Sequence, residues 1–173
     1  MESAYHRENT SVKFNRRILQ ASFSTAQVAR LTGLSARQLD HWDRLGFFSP
    51  SLVSAAGYGS KRRYSFSDVV RLRVAGRLRA AGFGLSEVRR VVETHRRHDP
   101  SKPDVAGARL LVAQGRVLWA RTDGELVDLL HGGQLMLVFP VGETVEDVAR
   151  AAESLAREEE GGLVGAVSAR RHA

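Results

Sequence analysis

The chain has 173 residues, 43% of them apolar, and carries 26 Lys+Arg against 19 Asp+Glu for a formal net charge of +7. That is room for one ordinary domain or two small ones, with enough apolar content for a packed core and too much for a disordered chain. Cysteine is absent, which excludes disulfides, thiolate metal ligation and thiol redox sensing, and no apolar run has the length of a bilayer span or the character of a secretory signal, so the expected location is the cytoplasm.

Residues 1–21 are polar and mixed in charge, and are expected to be a flexible arm. The first strong pattern is Ser24 to Phe48. Ser24 with Gln27, and Ser35 with Gln38, each have the S-x-x-Q spacing in which an N-cap hydroxyl and an N3 amide satisfy backbone N–H groups at a helix start. Gly33 falls between the two helices, where a sharp turn needs positive φ. Val28, Leu31, Leu34, Leu39 and Trp42 recur at helical spacing and form the expected seam. Ala36, Arg37, Gln38, Asp40, His41 and Arg44 are left facing outward, the kind of side chains that read base edges from a helix in the major groove.

A loop rich in Ser, Ala and Gly follows, then a basic turn in which Gly57 and Gly59 precede Lys61, Arg62, Arg63 and Tyr64. This predicts a hairpin wing beside a helix-turn-helix, with DNA as the ligand. Ser65 and Asp68 then open a third helix whose buried side is Val69, Leu72, Val74, Ala75 and Leu78. Gly82 and Gly84 break the chain. A fourth helix runs from Leu85 to about Arg97 on a stripe of Leu85, Val88, Val91 and Val92. Charge divides with this organisation. Residues 1–98 hold 18 basic and 7 acidic side chains, net +11, whereas residues 99–173 hold 8 and 12, net −4. The basic half would supply the salt-sensitive share of DNA affinity.

His95 and His98, followed by Asp99, have metal-ligand spacing but lack a third ligand, and their place at a helix end suits cationic side chains opposite the dipole. Neither metal nor cofactor is expected. Pro100 and Pro103 mark a linker over 99–107. Beyond it, Ala108–Ala113 and Arg116–Ala120 suggest a β-hairpin turning at Gln114-Gly115. Thr122 with Glu125 opens a short helix ending at Gly132-Gly133, and Gln134–Pro140 reads as a buried strand. Thr144 with Asp147 opens a last helix, with Val145, Val148, Ala152 and Leu155 on one face. The order is β-β-α-β-α over residues 108–159. So small a module buries little core alone and is expected to pack on a second copy or on the preceding domain. Residues 160–173 read as a flexible tail. Trp119, Met136 and Phe139 fit either an apolar ligand pocket or plain core. Asp123, Glu125, Asp128 and Glu143 are not paired at a spacing that fixes acid–base geometry, and there is neither a nucleophile elbow nor a phosphate loop, so no enzyme is expected.

The ordered helix pair, the run His41-Trp42-Asp43-Arg44, the Gly46-Phe47-Phe48 exit, the wing ending Arg62-Arg63-Tyr64-Ser65 and the later Gly82-Phe83-Gly84-Leu85-Ser86-Glu87 together resemble the MerR family of bacterial transcription regulators over residues 22–98. The usual wing of that family reads Gly-Tyr-Arg-x-Tyr. Here three residues separate Gly57-Tyr58 from Arg62-Arg63-Tyr64, which lengthens the tip, and the long dimerising helix that usually follows is replaced by the C-terminal module.

The resemblance implies a mainly α winged helix-turn-helix with a β wing, joined here to a small α+β module. It also implies a homodimer on a pseudo-palindromic promoter site of double-stranded DNA, with RNA polymerase as a further partner. Arg37, Gln38, Asp40 and His41 are the candidates for base contact, and Ser24, Arg44, Lys61, Arg62, Arg63 and Tyr64 for backbone contact. Asp40 would accept from cytosine or orient Arg37 or Arg44. Two other readings compete: an architectural protein coating direct repeats, and an adaptor that recruits another protein and touches DNA incidentally. The sequence names no effector molecule.

Overall fold

The computed structural model describes residues 16–54, 61–96, 109–113, 116–120 and 137–170. Helix α1 (Arg16–Leu19) and strand β1 (Ser22–Phe23) lead into the helix pair α2 (Thr25–Thr32) and α3 (Ala36–Arg44). Strand β2 (Tyr64–Ser65) then feeds α4 (Phe66–Ala80), which is followed by α5 (Leu85–Arg96). Strands β3 (Arg109–Ala113), β4 (Arg116–Ala120) and β5 (Leu137–Pro140) precede the last helix, α6 (Val141–Arg170). Among the described residues no helix is long and apolar enough to cross a membrane.

Among the described residues three helices begin on complete capping boxes, Ser24 with Gln27, Ser35 with Gln38, and Ser65 with Asp68. Each box closes two backbone donors that would otherwise lack partners, a contribution of roughly 1 kcal/mol per cap. Gly33 ends α2 at φ +77°, a conformation that strains any side chain. The chain leaves α3 through Phe47 and Phe48, whose N–H groups both donate to the Trp42 carbonyl, at 2.9 and 3.2 Å. Trp42 and Phe47 meet edge to face, 4.8 Å between centroids.

The C-terminal side of the wing pairs outside the loop. Tyr64 and Ser65 pair antiparallel with Phe23 and Ser22, and among the described residues one bridge, Val53 with Arg63, joins the two sides of the loop itself. Residues 55–60, where the tip was expected, lie outside the described residues. Asp68 is fully buried because it is fully occupied. It accepts from the Ser65 N–H at 3.0 Å, and from the N–H and hydroxyl of Ser51 at 2.8 and 2.6 Å, while Arg71 pairs with its other oxygen at 3.2 Å. One carboxylate thus caps α4 and fastens the loop leading to the wing.

The C-terminal strands form an antiparallel sheet in the order β4-β3-β5, with Leu110 opposite both Trp119 and Phe139. The short helix expected over residues 122–132 lies outside the described residues, as does Met136. Helix α6 begins three residues before the expected cap. Thr144 is a buried residue inside the first turn, its hydroxyl bonded back to the Pro140 carbonyl at 3.1 Å, and Asp147 pairs with Arg150 at 2.7 Å instead of closing a box. The helix also continues past 159, where the sequence suggested its end, to Arg170. Within the arm expected to be flexible, Arg16–Leu19 is helical and Ile18 is buried.

Val141, Val145, Val148, Ala152 and Leu155 fall three and four residues apart on α6 and are all buried. They belong to the same apolar cluster as Leu31, Leu72 and Leu78, because α6 lies against α1, α2 and α4. Helix α4 is therefore covered on several sides, which is why Phe66 and Val70 are buried along with the stripe read from its periodicity. Each fully buried Val or Leu contributes up to about 1.5–3 kcal/mol.

Candidate nucleic-acid interface

Burial of Leu39 and Trp42 fixes the rotation of α3, and the opposite face follows from it. Ala36, Arg37, Gln38, His41 and Arg44 are exposed and Asp40 is half-buried. All of the base-contact candidates therefore share one surface of α3.

Two of them are already engaged. The Gln38 carbonyl oxygen accepts from the Ser35 N–H at 2.8 Å and from its hydroxyl at 3.0 Å, closing the capping box. Only its Nε2 donors remain for a ligand, so the bidentate donor-plus-acceptor match that an amide makes to adenine requires breaking the cap. Asp40 accepts from Arg44 at 2.8 Å and from Arg62 at 2.9 Å. Of the roles open to it in the sequence, orientation of Arg44 is the one its geometry displays.

Arg62 is the joint between wing and helix. Its Nη2 donates to Asp40 and its Nε to Asp43 at 2.8 Å, so that one guanidinium spans two carboxylates one turn apart on α3. The pairs are partly shielded, with side-chain exposures of 18% for Arg62 and 13% for Asp43. The hydrogen bond from Arg62, with the charge of Arg44 beside it, holds the Asp40 carboxyl below its ordinary pKa against a smaller opposing effect of burial. Burial works against the charged form of Arg62, and its bonds to Asp40 and Asp43 more than offset this, raising its pKa. Asp43 was visible in the sequence only as part of a family-like run. Its acidic type one turn from Asp40 was the available signal, but its partner lies 19 residues away.

The other backbone candidates divide by position. Lys61 is exposed and Arg63 half-buried, the latter held by paired main-chain bonds with Val53 at 3.0 and 3.2 Å. Ser24 is half-buried and spends its hydroxyl on the α2 cap. Tyr64 is only 1% exposed, with its hydroxyl bonded to Thr25, and burial raises its pKa. Its ring is a core element beneath the wing, so the phosphate contact expected of it is not available to its side chain here.

Acidic side chains of α6 reach the first helix of the pair. Glu159 accepts from the Gln27 side-chain amide with both oxygens at 3.0 Å, and Glu158 pairs with Arg30 at 2.7 Å. Nothing in the local pattern of either segment signals this contact.

Two short helices crossing at a glycine turn, with an ion-paired basic segment braced against the second, define a winged helix-turn-helix. Residues 23–94 match the family described as MerR HTH family regulatory protein. It is 38% identical over 105 residues to an HTH-type transcriptional regulator of Mycobacterium tuberculosis, covering 61% of this chain and 46% of that protein. It is 43% identical over 67 residues to the HTH-type transcriptional activator TipA of Streptomyces coelicolor, covering 39% and 25%. A probable heavy metal-dependent transcriptional regulator of Haemophilus influenzae is 29% identical over 89 residues, covering 51% and 65%. The chain thus spans less than half the length of the mycobacterial relative and a quarter of TipA.

Proposed function

We propose that this protein is a sequence-specific, DNA-binding transcription regulator that binds a pseudo-palindromic promoter site as a homodimer. Helix α3 enters the major groove and the Lys61–Arg63 segment lies along the neighbouring backbone. The observation that carries this reading is the exposed α3 face held rigidly to a basic segment by the Arg62 bridge, since a reader and a backbone grip must keep a fixed separation to match a groove. Arg37 and His41 are free to meet base edges, Gln38 contributes through its Nε2 donors, and Asp40 orients Arg44. Arg44, Lys61, Arg63 and the start of α2 at Ser24 contact phosphates. Arg62 and Tyr64 act indirectly, by holding the wing. The names of the relatives support regulation of transcription; RNA polymerase as a further partner and the cytoplasm as location belong to the same proposal. The C-terminal module serves dimerisation or sensing, and the protein is a binding protein rather than an enzyme.

Selection of duplexes from a random pool tests this directly. The expected winners share two inverted half-sites at fixed spacing, and Arg37→Ala lowers affinity for them by about 1–3 kcal/mol while leaving random duplex little affected. Winners without symmetry, or an Arg37→Ala loss equal on all duplexes, would contradict the proposal.

A further inference from the structure

A cleft of about 580 Å³ opens between the α2–α3 turn and α4, within the ordinary size range of small-molecule sites. Three guanidiniums line it, Arg73, Arg77 and Arg79, and among the described residues no carboxylate does. Each uses one Nη1 donor on a neutral oxygen: Arg73 on the Leu31 carbonyl at 3.3 Å, Arg77 on the Thr144 hydroxyl at 3.0 Å, and Arg79 on the Phe83 carbonyl. Among the described residues none of the three forms an ion pair, although Arg30, Arg44, Arg62, Arg71 and Arg150 all do. Two glycines line the cleft, Gly33 at the turn and Gly76 on α4, where an added Cβ would stand in ordinary van der Waals contact with Leu34 at 3.5 Å. On the rim stands Gln38, whose amide nitrogen faces no partner among the described residues.

Like charges crowded in one concavity repel, and they are stabilised together by an anion that accepts several charge-assisted hydrogen bonds at once. A phosphoryl group, with its fork-matching oxygens, is the chemistry such a set recognises. The recess is walled on one side by the reading pair and on the other by α4, and one of its arginines, Arg77, is tied to the start of α6 through Thr144. A concave recess suits a compact ligand better than a duplex backbone, which presents its phosphates along a convex ridge.

We propose that this cleft is a binding site for a free phosphorylated small molecule of roughly nucleotide size. Its occupant bridges Arg77, which is tied to α6, and Gln38, which stands at the start of α3. Occupancy therefore reports to the same helix that reads DNA, so the site is placed to act as an effector site.

Titration calorimetry with inorganic pyrophosphate and with a magnesium-free nucleoside triphosphate, at about 0.15 M salt so that loose surface attraction is screened, tests the proposal without DNA. One saturable site is expected. Arg77→Gln with Arg79→Gln weakens it by about tenfold or more, whereas Arg150→Gln, a change on α6 outside the cleft, leaves it unchanged. Should the double variant fail to fold by circular dichroism, Gln38→Glu carries the test, because it keeps an N3 capping residue while placing a negative charge on the rim. Absence of a saturable site in the wild type, or equal weakening by Arg150→Gln, overturns the proposal. A parallel DNA titration identifies the other source of phosphate. If pyrophosphate does not bind and the double variant lowers the log-log salt slope for duplex by nearly two, the cleft grips backbone phosphate and the small-molecule assignment falls. Because the first arm contains no DNA, failure of the DNA-binding reading leaves its result intact.

Discussion

Arg62→Ala separates a bracing role from a gripping one. The guanidinium is 18% exposed and bonded to Asp43, itself 13% exposed, so the pair is neither a solvated surface contact nor a fully buried one. A hydrogen bond between charged groups in this setting contributes about 1.5–3 kcal/mol, and its loss leaves Asp43 partly shielded and uncompensated. For a chain of this length that corresponds to a melting temperature lower by roughly 3–12 °C. Asp43→Ala should cost a similar amount, and the double variant little more than either, giving a coupling of about 1–2 kcal/mol in a double-mutant cycle read by calorimetry or circular dichroism. The DNA readout is the second arm. If Arg62 only holds the wing, affinity falls on every duplex but the salt slope is retained, because no phosphate contact is lost. A slope lower by about 0.9 with an unchanged melting temperature and no coupling would refute the bracing argument and return Arg62 to the phosphates.

The remaining predictions concern neighbouring features. Gln38→Glu should keep the stability conferred by the cap yet lose preference for the selected site, whereas Gln38→Ala loses both, by about 1 kcal/mol of stability for the cap, as thermal melts and competition binding would report. Glu158→Gln with Glu159→Gln should change stability by less than about 0.5 kcal/mol, since the groups are exposed, but raise DNA affinity by about two- to tenfold by removing negative charge beside α2, measured by anisotropy at low salt. Tyr64 has a raised pKa in the folded state, so the unfolded chain ionises it first. Its contribution is complete below about pH 10 and is lost as pH rises further, and Tyr64→Phe should shift the alkaline unfolding limb upward in pH-dependent melts. Trp42→Ala, which empties the seam beneath α3, should cost about 3–5 kcal/mol and broaden or abolish the melting transition.

What the sequence disclosed was local. Capping boxes at Ser24, Ser35 and Ser65 act within four residues, and the seam of Val28, Leu31, Leu34, Leu39 and Trp42 obeys a period that one helix imposes on itself, so both could be read in advance. The bridge from Arg62 to Asp40 and Asp43 spans some twenty residues and depends on where β2 pairs with β1, which no local pattern encodes. Gln38 shows the same limit within a single residue: its spacing signalled a cap and its position signalled base contact, and the geometry shows the cap formed, with the carbonyl occupied. Thr144 misled because a threonine three residues before an aspartate signals a helix start only when the preceding backbone is extended, and here Val141 to Glu143 are already helical.

The apolar cluster that joins α6 to α2 and α4 governs how the molecule comes apart. Since the last helix and the reading pair share one interior, they should lose amide-hydrogen protection together, as a single cooperative unit rather than as two independently melting lobes. A fragment ending near residue 98 would bare the surface that Val141, Val145, Val148 and Leu155 cover, and would be a poor stand-in for the intact reader. By the same linkage, any event that loosens α6 between Val141 and Leu155 is felt as a change in how firmly α3 is held.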